Sequence, residues 1–326
     1  MKSKLDILKA SERISKYVRK TYFSYSFSFS KNIKSEVWFK SENLQYTGSF
    51  KVRGAFNKIL KLSLSDRENG ILAASTGNHG AAIAYAAKVL NTSCTIFVPE
   101  NTDSSKLNNI KKYGAEIEIY GNDCILAERK AREVSYKNNQ IYISPYNDLD
   151  VIEGQGTIAV EIIDQIDKPL DTVIISVGGG GLISGIAIYL KSIWPEIHII
   201  GCSPKNSAVM LKSIEAKKIL DLESLETISD GTAGGVEEDS ITFPLCKEYI
   251  DESVYVTEEE IKSGLIQYME AEHQMIEGAA GAAIATLIKK RSFLKNKTVG
   301  VILCGGNINS KVLGGLIRNE KNNFST

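Results

Sequence analysis

No run in these 326 residues is long and apolar enough to cross a membrane, and the opening MKSKLDILKASERISKYVRK is charged throughout, with no apolar segment of the signal-peptide kind. Net charge is absent too: Lys plus Arg and Asp plus Glu each number 39. Such a balance offers no electrostatic footprint for nucleic acid or an anionic membrane surface. The five cysteines, Cys94, Cys124, Cys202, Cys246 and Cys304, stand far apart, with no C-x-x-C pair and no histidine at zinc-ligand spacing. They read as buried, reduced thiols, and no metal is expected. The chain has no G-K-[ST] triplet, which removes a P-loop, and no self-similarity at a period of 20–50 residues, which removes a solenoid. On these absences the protein is expected to be cytoplasmic and unprocessed.

What is present fills two cores. The length suits two globular lobes, and 43% hydrophobic with 24% charged residues is ordinary globular usage. From residue 36 onward, short apolar runs such as EVWFK, GILAAS, TIFVP, DTVIISV, IHIIGCS and TVGVILC alternate with helical patterns such as FKVRGAFNKIL and GLISGIAIYLKSI. Strands apolar throughout and separated by helices imply parallel sheets covered on both faces. The expected fold is α/β, two lobes each with a largely parallel open sheet flanked by helices. The small domain is expected over 69–147, with 1–68 and 148–326 forming the large one. The segment YFSYSFSFS (22–30) has a two-residue period, which predicts a strand or an extended stretch.

In such sheets, chemistry gathers at the carboxyl ends of strands. TVIISVGGGGLISGIA (172–187) joins an apolar strand to a helix through Gly178, Gly179, Gly180 and Gly181. Four glycines there let backbone N–H groups approach an anion closely, at a helix end whose dipole favours negative charge. The pattern misses G-x-G-x-x-G, and GQGTIA (154–159), which fits its looser form, follows no strand, so a single phosphate is expected and not a dinucleotide. AASTGNHGAA (73–82) also follows a strand and opens a helix; Ser75, Thr76 and Asn78 supply donors suited to a carboxylate, or serve only as cap chemistry. In SENLQYTGSFKVRGAF (41–56), Lys51 begins a helix among Phe50, Val52 and Phe56. Helix dipole and desolvation both disfavour its ammonium there, which frees an amine for a carbonyl. A snorkelling surface lysine is the competing reading. Together, amine and phosphate nest point to an aldehyde cofactor that bears a phosphate.

The run ENLQYTGSFKVRGA resembles the pyridoxal-phosphate attachment signature of the serine/threonine dehydratases, fold type II (tryptophan synthase β-like) enzymes whose family includes serine racemase. The resemblance continues in order through STGNHG, GQGTIAVEI, SVGGGGLISG, SDGTAGGV, EGAAGAA and ILCGGNIN, over roughly residues 36–315. It implies pyridoxal 5'-phosphate in the cleft between the lobes, bound to Lys51 as a Schiff base, with Phe50 beside the ring. Gly178 to Gly181 with Leu182 would cradle the phosphate, and Asn78 would bond the 3' oxygen. Ser75, Thr76, Gly77 and His79 would hold the substrate carboxylate. Gly231 to Gly235 would line the pocket over the substrate, Glu277 would lie on the cofactor's other side, and Cys304 would face the pyridine nitrogen. A thiol is only a weak donor at that nitrogen, which favours prompt loss of a β-substituent over transamination.

The departures from the family pattern carry information as well. GNHGAA replaces the more usual GNHGQ, and GCSPKNSAV puts Ser203 and Val209 where racemase-like members carry acidic residues for a divalent cation. Thr76 stands where racemases use a serine as their second acid/base. The resemblance therefore implies a lyase that eliminates the β-hydroxyl of L-serine, L-threonine or a related β-hydroxy amino acid, with a serine-type racemase as the alternative. A homodimer is expected, and feedback control by a C-terminal effector domain is not.

Overall fold

In strands Thr172–Ser176 and Thr298–Ile302 every residue is buried. A strand without a polar face must have both sides covered, which puts these two at the centre of a sheet. The computed structural model describes residues 5–321. Among them, ten strands form two sheets: β1 (Phe23–Tyr25), β2 (Glu36–Lys40), β3 (Ile71–Ala74), β4 (Cys94–Val98), β5 (Glu116–Ile119), β6 (Ile141–Tyr142), β7 (Thr172–Ser176), β8 (His198–Pro204), β9 (Glu252–Val256) and β10 (Thr298–Ile302). The larger sheet runs β1-β2-β10-β7-β8-β9 and the smaller β5-β4-β3-β6. Every neighbouring pair is parallel except β1 with β2. The protein is thus α/β, with two parallel sheets flanked by helices.

One expectation needs correction. The alternating segment 22–30 is extended only over Phe23–Tyr25; helix Phe27–Ile33 then begins, with the Ser26 side chain accepting from the Phe29 N–H. A serine hydroxyl that caps a helix satisfies a donor no strand would leave open, and Phe29, Ser30 and Ile33 then share a buried face. GQGTIA lies wholly inside helix Leu149–Gln165, where its glycines bring helices together. A Cβ on Gly154 would sit 2.6 Å from the Arg53 carbonyl oxygen, and one on Gly156 would sit 2.9 Å from that of Gly185. Helix Leu149–Gln165 is thereby wedged between helices Lys51–Lys61 and Gly181–Ile193.

That wedge positions the start of helix Lys51–Lys61. The smaller sheet's core takes in Val52, Phe56 and Ile59 from the same helix. On another side, Arg53 is fully buried, donating to Glu42 through Nε (2.7 Å) and Nη2 (2.8 Å) and to Glu161 through Nη1 (2.7 Å). Lys40 Nζ joins Glu161 at 2.5 Å and the Thr21 carbonyl at 2.8 Å. Two cations and two carboxylates balance, which is the condition for keeping charge out of water.

Candidate active site

Four helices begin at one cavity: Lys51–Lys61, Asn78–Val89, Gly181–Ile193 and Gly278–Lys289, and none of them has a side-chain cap. Helices that start elsewhere, such as Ile7–Ile14, Ser104–Lys111, Cys124–Asn138 and Glu258–Glu272, are capped by Asp6, Asp103, Asp123 and Thr257. In helix Gly181–Ile193 the first intrahelical bond is Ser184 N–H to Gly180 O, and in helix Asn78–Val89 it is Ala81 N–H to Gly77 O. The N–H groups before those bonds remain for an anion, on the positive ends of the helix dipoles.

The glycine turn after β7 admits no side chains. A Cβ on Gly178 would meet the Thr232 carbonyl oxygen at 2.9 Å, and one on Gly179 would meet the Tyr146 ring at 2.3 Å. Gly180, at φ +86°, occupies the left-handed region and would drive a Cβ to 2.6 Å from Cys246 Sγ. Gly178, Gly179, Gly180, Gly181 and Leu182 all line the cavity, together with Phe50, Lys51, Asn78, Gly231, Glu277 and Cys304. An anion can reach bare backbone here, so the residues present fit a phosphate-bearing ligand.

Lys51 is held close to Cys304 by backbone pairing: Phe50 N–H donates to the Cys304 carbonyl, Gly306 N–H to that of Gly48, and Ser49 bridges Gly305. Its Nζ donates to the Pro145 carbonyl at 2.9 Å and lies 5.2 Å from the centre of the Phe50 ring. Desolvation depresses the amine to about 8, with Cys304 and Glu277 pulling the other way. An amine so shifted is available as a nucleophile and as a proton acceptor near neutral pH. Desolvation also raises the Cys304 thiol well above its ordinary range, so it stays a neutral S–H. Its Sγ lies 4.0 Å from Glu277 Oε1.

Glu277 precedes helix Gly278–Lys289 but turns its carboxyl into the cavity instead of capping the helix. Asn78 Nδ2 donates to its Oε1 (2.9 Å) and Oε2 (3.0 Å), and the Asn307 N–H donates to Oε2 (3.2 Å). Burial pushes this carboxyl up to about 7, against the donors from Asn78 and Asn307, with Asp230 adding to the rise.

Ser75, Thr76, Gly77 and His79 do not line the cavity; they form the turn from β3 into Asn78, which does. His79 is buried, with Nε2 2.9 Å from the Ile143 carbonyl, so the ring carries its proton on that nitrogen. Desolvation and the neighbouring Lys51 lower it to about 3, and it remains neutral. What His79 offers a ligand is its backbone N–H. The turn also keeps open space at Gly77, where a Cβ would meet nothing within 4 Å. Of Gly231 to Gly235, Gly231 and Thr232 line the cavity, while Gly234 and Gly235 face open space.

The sequence reading did not single out Tyr146, Pro145 and Asn307. Tyr146 lies across Gly179 and accepts from the Glu237 N–H through its hydroxyl. The available signal was position: SPYND follows β6, another strand end. Asn307 stood unread inside CGGNIN.

Comparison with known proteins agrees with this geometry. Residues 14–305 match the family described as "Pyridoxal-phosphate dependent enzyme". The chain is 36% identical over 312 residues to the L-threonine ammonia-lyase of Thermotoga maritima, covering 96% of this chain and 77% of that one. It is 37% identical to the L-threonine dehydratase catabolic TdcB of Staphylococcus aureus, covering 97% and 92%. Its fold superposes on maize serine racemase with a TM-score of 0.90 at 30% identity, covering 98% of each chain.

Proposed function

Since the chain belongs to the family of pyridoxal-phosphate-dependent enzymes, we propose that it is an ammonia-lyase that acts on L-threonine, L-serine or a related β-hydroxy amino acid, releasing a 2-oxo acid and ammonia. The reading is supported above all by one cavity whose lining includes both the Lys51 amine and the bare backbone of Gly178 to Gly181. The curated relatives named for threonine extend over nearly the whole chain.

When bound, pyridoxal phosphate supplies a carbonyl that takes up an amine and a conjugated ring that accepts electrons from the α-carbon. Gly178 to Gly181 and Leu182 would hold its phosphate, Phe50, Asn78 and Cys304 would meet its ring, and Glu277 would lie on its other side. Lys51 is read as the covalent anchor and then, once the substrate amine has taken its place, as the base that removes the α-proton at Nζ. Its depressed affinity for protons leaves a free amine at the pH where the proton must be taken. The neutral Cys304 thiol would not hold a proton on the ring nitrogen as a carboxylate would, which favours prompt departure of the β-hydroxyl, with a proton, as water. Backbone N–H groups in the Ser75–His79 turn are read as the carboxylate seat, and Gly231 as part of the wall over the side chain.

Lys51→Ala should abolish turnover and the visible absorbance of the bound cofactor; a variant that keeps the band would remove Lys51 from the anchor role. An assay for oxo acid and ammonia over a panel of β-hydroxy amino acids, including 3-hydroxyaspartate and phenylserine, identifies the substrate.

A racemase reading is favoured by one observation, the close superposition on maize serine racemase. Against it, Thr76 stands where those enzymes use a serine. Chiral analysis of pure L-serine separates the two: oxo acid should outpace D-serine, and the reverse order would overturn the lyase reading. The proposal extends to a cytoplasmic homodimer. It is supported by five unpaired cysteines and by the family likeness, and a mass of one 35.8 kDa chain in light scattering would count against the dimer.

A further inference from the structure

Asn307 has no role in the scheme above, yet through its side chain and its backbone N–H it bonds three segments at the cavity. Its Nδ2 donates to the Thr47 carbonyl at 2.8 Å and to Asn78 Oδ1 at 2.7 Å, and its backbone N–H donates to Glu277 Oε2 at 3.2 Å. Thr47 lies in the loop that leads to Lys51, and Asn78 opens the helix after β3.

These bonds have a direction. A backbone carbonyl only accepts, so the end of the Asn307 amide that meets Thr47 O must be nitrogen. That nitrogen then meets Asn78 through the Asn78 oxygen, which leaves Asn78 Nδ2 on the opposite side, against Glu277 at 2.9 and 3.0 Å. The two oxygens of one carboxylate lie too close together to take both hydrogens of an amide nitrogen, which diverge widely. One Asn78 N–H therefore remains for a ligand oxygen in the cavity. Glu277 takes the nitrogen side of the Asn78 amide, and the chain from Thr47 O through Asn307 takes its oxygen side, so the two together fix which face is presented. The loop makes room for this: Gly48, at φ +72°, would place a Cβ 2.5 Å from Asn307 Oδ1.

We propose that Asn307 is a positioning residue that holds the Asn78 amide with its nitrogen toward the cavity, so that it presents a donor to an oxygen of the bound cofactor. The inference rests on the reading that this cavity takes pyridoxal phosphate. Asn307 is exposed, so its replacement leaves the core packing intact.

The test compares Asn307→Ala with Asn307→Asp, each alone and in an Asn78→Ala background, by titrating apo protein with pyridoxal phosphate and following the visible band. Alanine removes the bond on the oxygen side and leaves Glu277 on the other, and the affinity should fall by up to about tenfold, the scale of one oriented hydrogen bond. Aspartate offers only acceptors and should draw the Asn78 nitrogen to itself, turning Oδ1 to the cavity. Its affinity should fall further than that of Asn307→Ala, with a displaced absorption maximum. In the Asn78→Ala background both effects should vanish, which a general loosening of the loop would not produce. Equal affinities and spectra for wild type, Ala and Asp, or an Asp effect that persists without Asn78, would overturn the proposal while leaving the cofactor reading intact. A wild-type protein that develops no band would overturn both.

Discussion

At the scale of single residues, the site is governed by groups pushed away from their ordinary protonation. Lys51 is depressed to about 8 by desolvation. A lysine with a lowered value is neutral above that value and cationic below it, and only the neutral amine attacks a carbonyl. Uptake of pyridoxal phosphate by apo protein should therefore accelerate as pH rises through about 8 and level off above it, as stopped-flow absorbance would show. A rate that levels off only near 10 would mean that desolvation is not acting on Lys51. Gly179 carries a steric demand. An added Cβ would fall 2.3 Å from the Tyr146 ring, so Gly179→Ala should weaken cofactor binding by tenfold or more, and adding Tyr146→Ala should recover part of the loss. Spectral titration of the single and double variants reads both effects.

At the scale of elements, the cavity is built from strand ends and helix starts. β7, β3, β6 and β10 each run into a cavity segment at their carboxyl ends. The four helices that open there go uncapped, while many that start elsewhere, Ile7–Ile14, Cys124–Asn138 and Glu258–Glu272 among them, are closed by Asp or Thr. Helix Lys51–Lys61 is locked from behind by Arg53, whose guanidinium is satisfied by Glu42 and Glu161. Removing one partner of a buried network leaves an uncompensated charge, so Arg53→Ala should cost about 3–5 kcal/mol in urea unfolding of the apo protein. Replacing the whole set with apolar residues should cost far less. A loss for Arg53→Ala below about 1 kcal/mol would show that the network is not acting as a unit.

At the scale of the whole molecule, the cavity draws on both sheets: Asn78 follows β3 of the smaller one, and Gly178 to Gly181 follow β7 of the larger. Two ion pairs also cross between them, Lys106 with Asp230 (3.0 Å) and Arg132 with Glu237 (2.9 Å). A ligand held from both sides stabilises the folded state by mass action. Pyridoxal phosphate at a hundredfold excess over its Kd should add about 2.7 kcal/mol, visible as a higher Tm by circular dichroism. An unchanged Tm under visible saturation would mean that the cofactor does not bind the folded state in preference to the unfolded chain.

Much of this was legible in the residues alone. Apolar strands separated by helices have one economical arrangement, and four glycines at a strand-to-helix turn or a lysine starting a helix among aromatics are local anomalies that chemistry explains. The segment 22–30 misled because a hydroxyl can serve a strand face or a helix cap equally well, and its partners decide which. GQGTIA did not mislead, because the missing strand before it set the dinucleotide match aside, but that its glycines are spared for neighbouring helices is not legible in one dimension. What the sequence by itself determined was which groups are chemically unusual. Which of them meet was decided only by the tertiary structure. Asn78 on Glu277 spans 199 positions, Asn307 on Asn78 spans 229, and Lys51 on Pro145 spans 94. Contacts that distant depend on how two sheets and the helices between them pack, and a linear pattern carries no record of that packing.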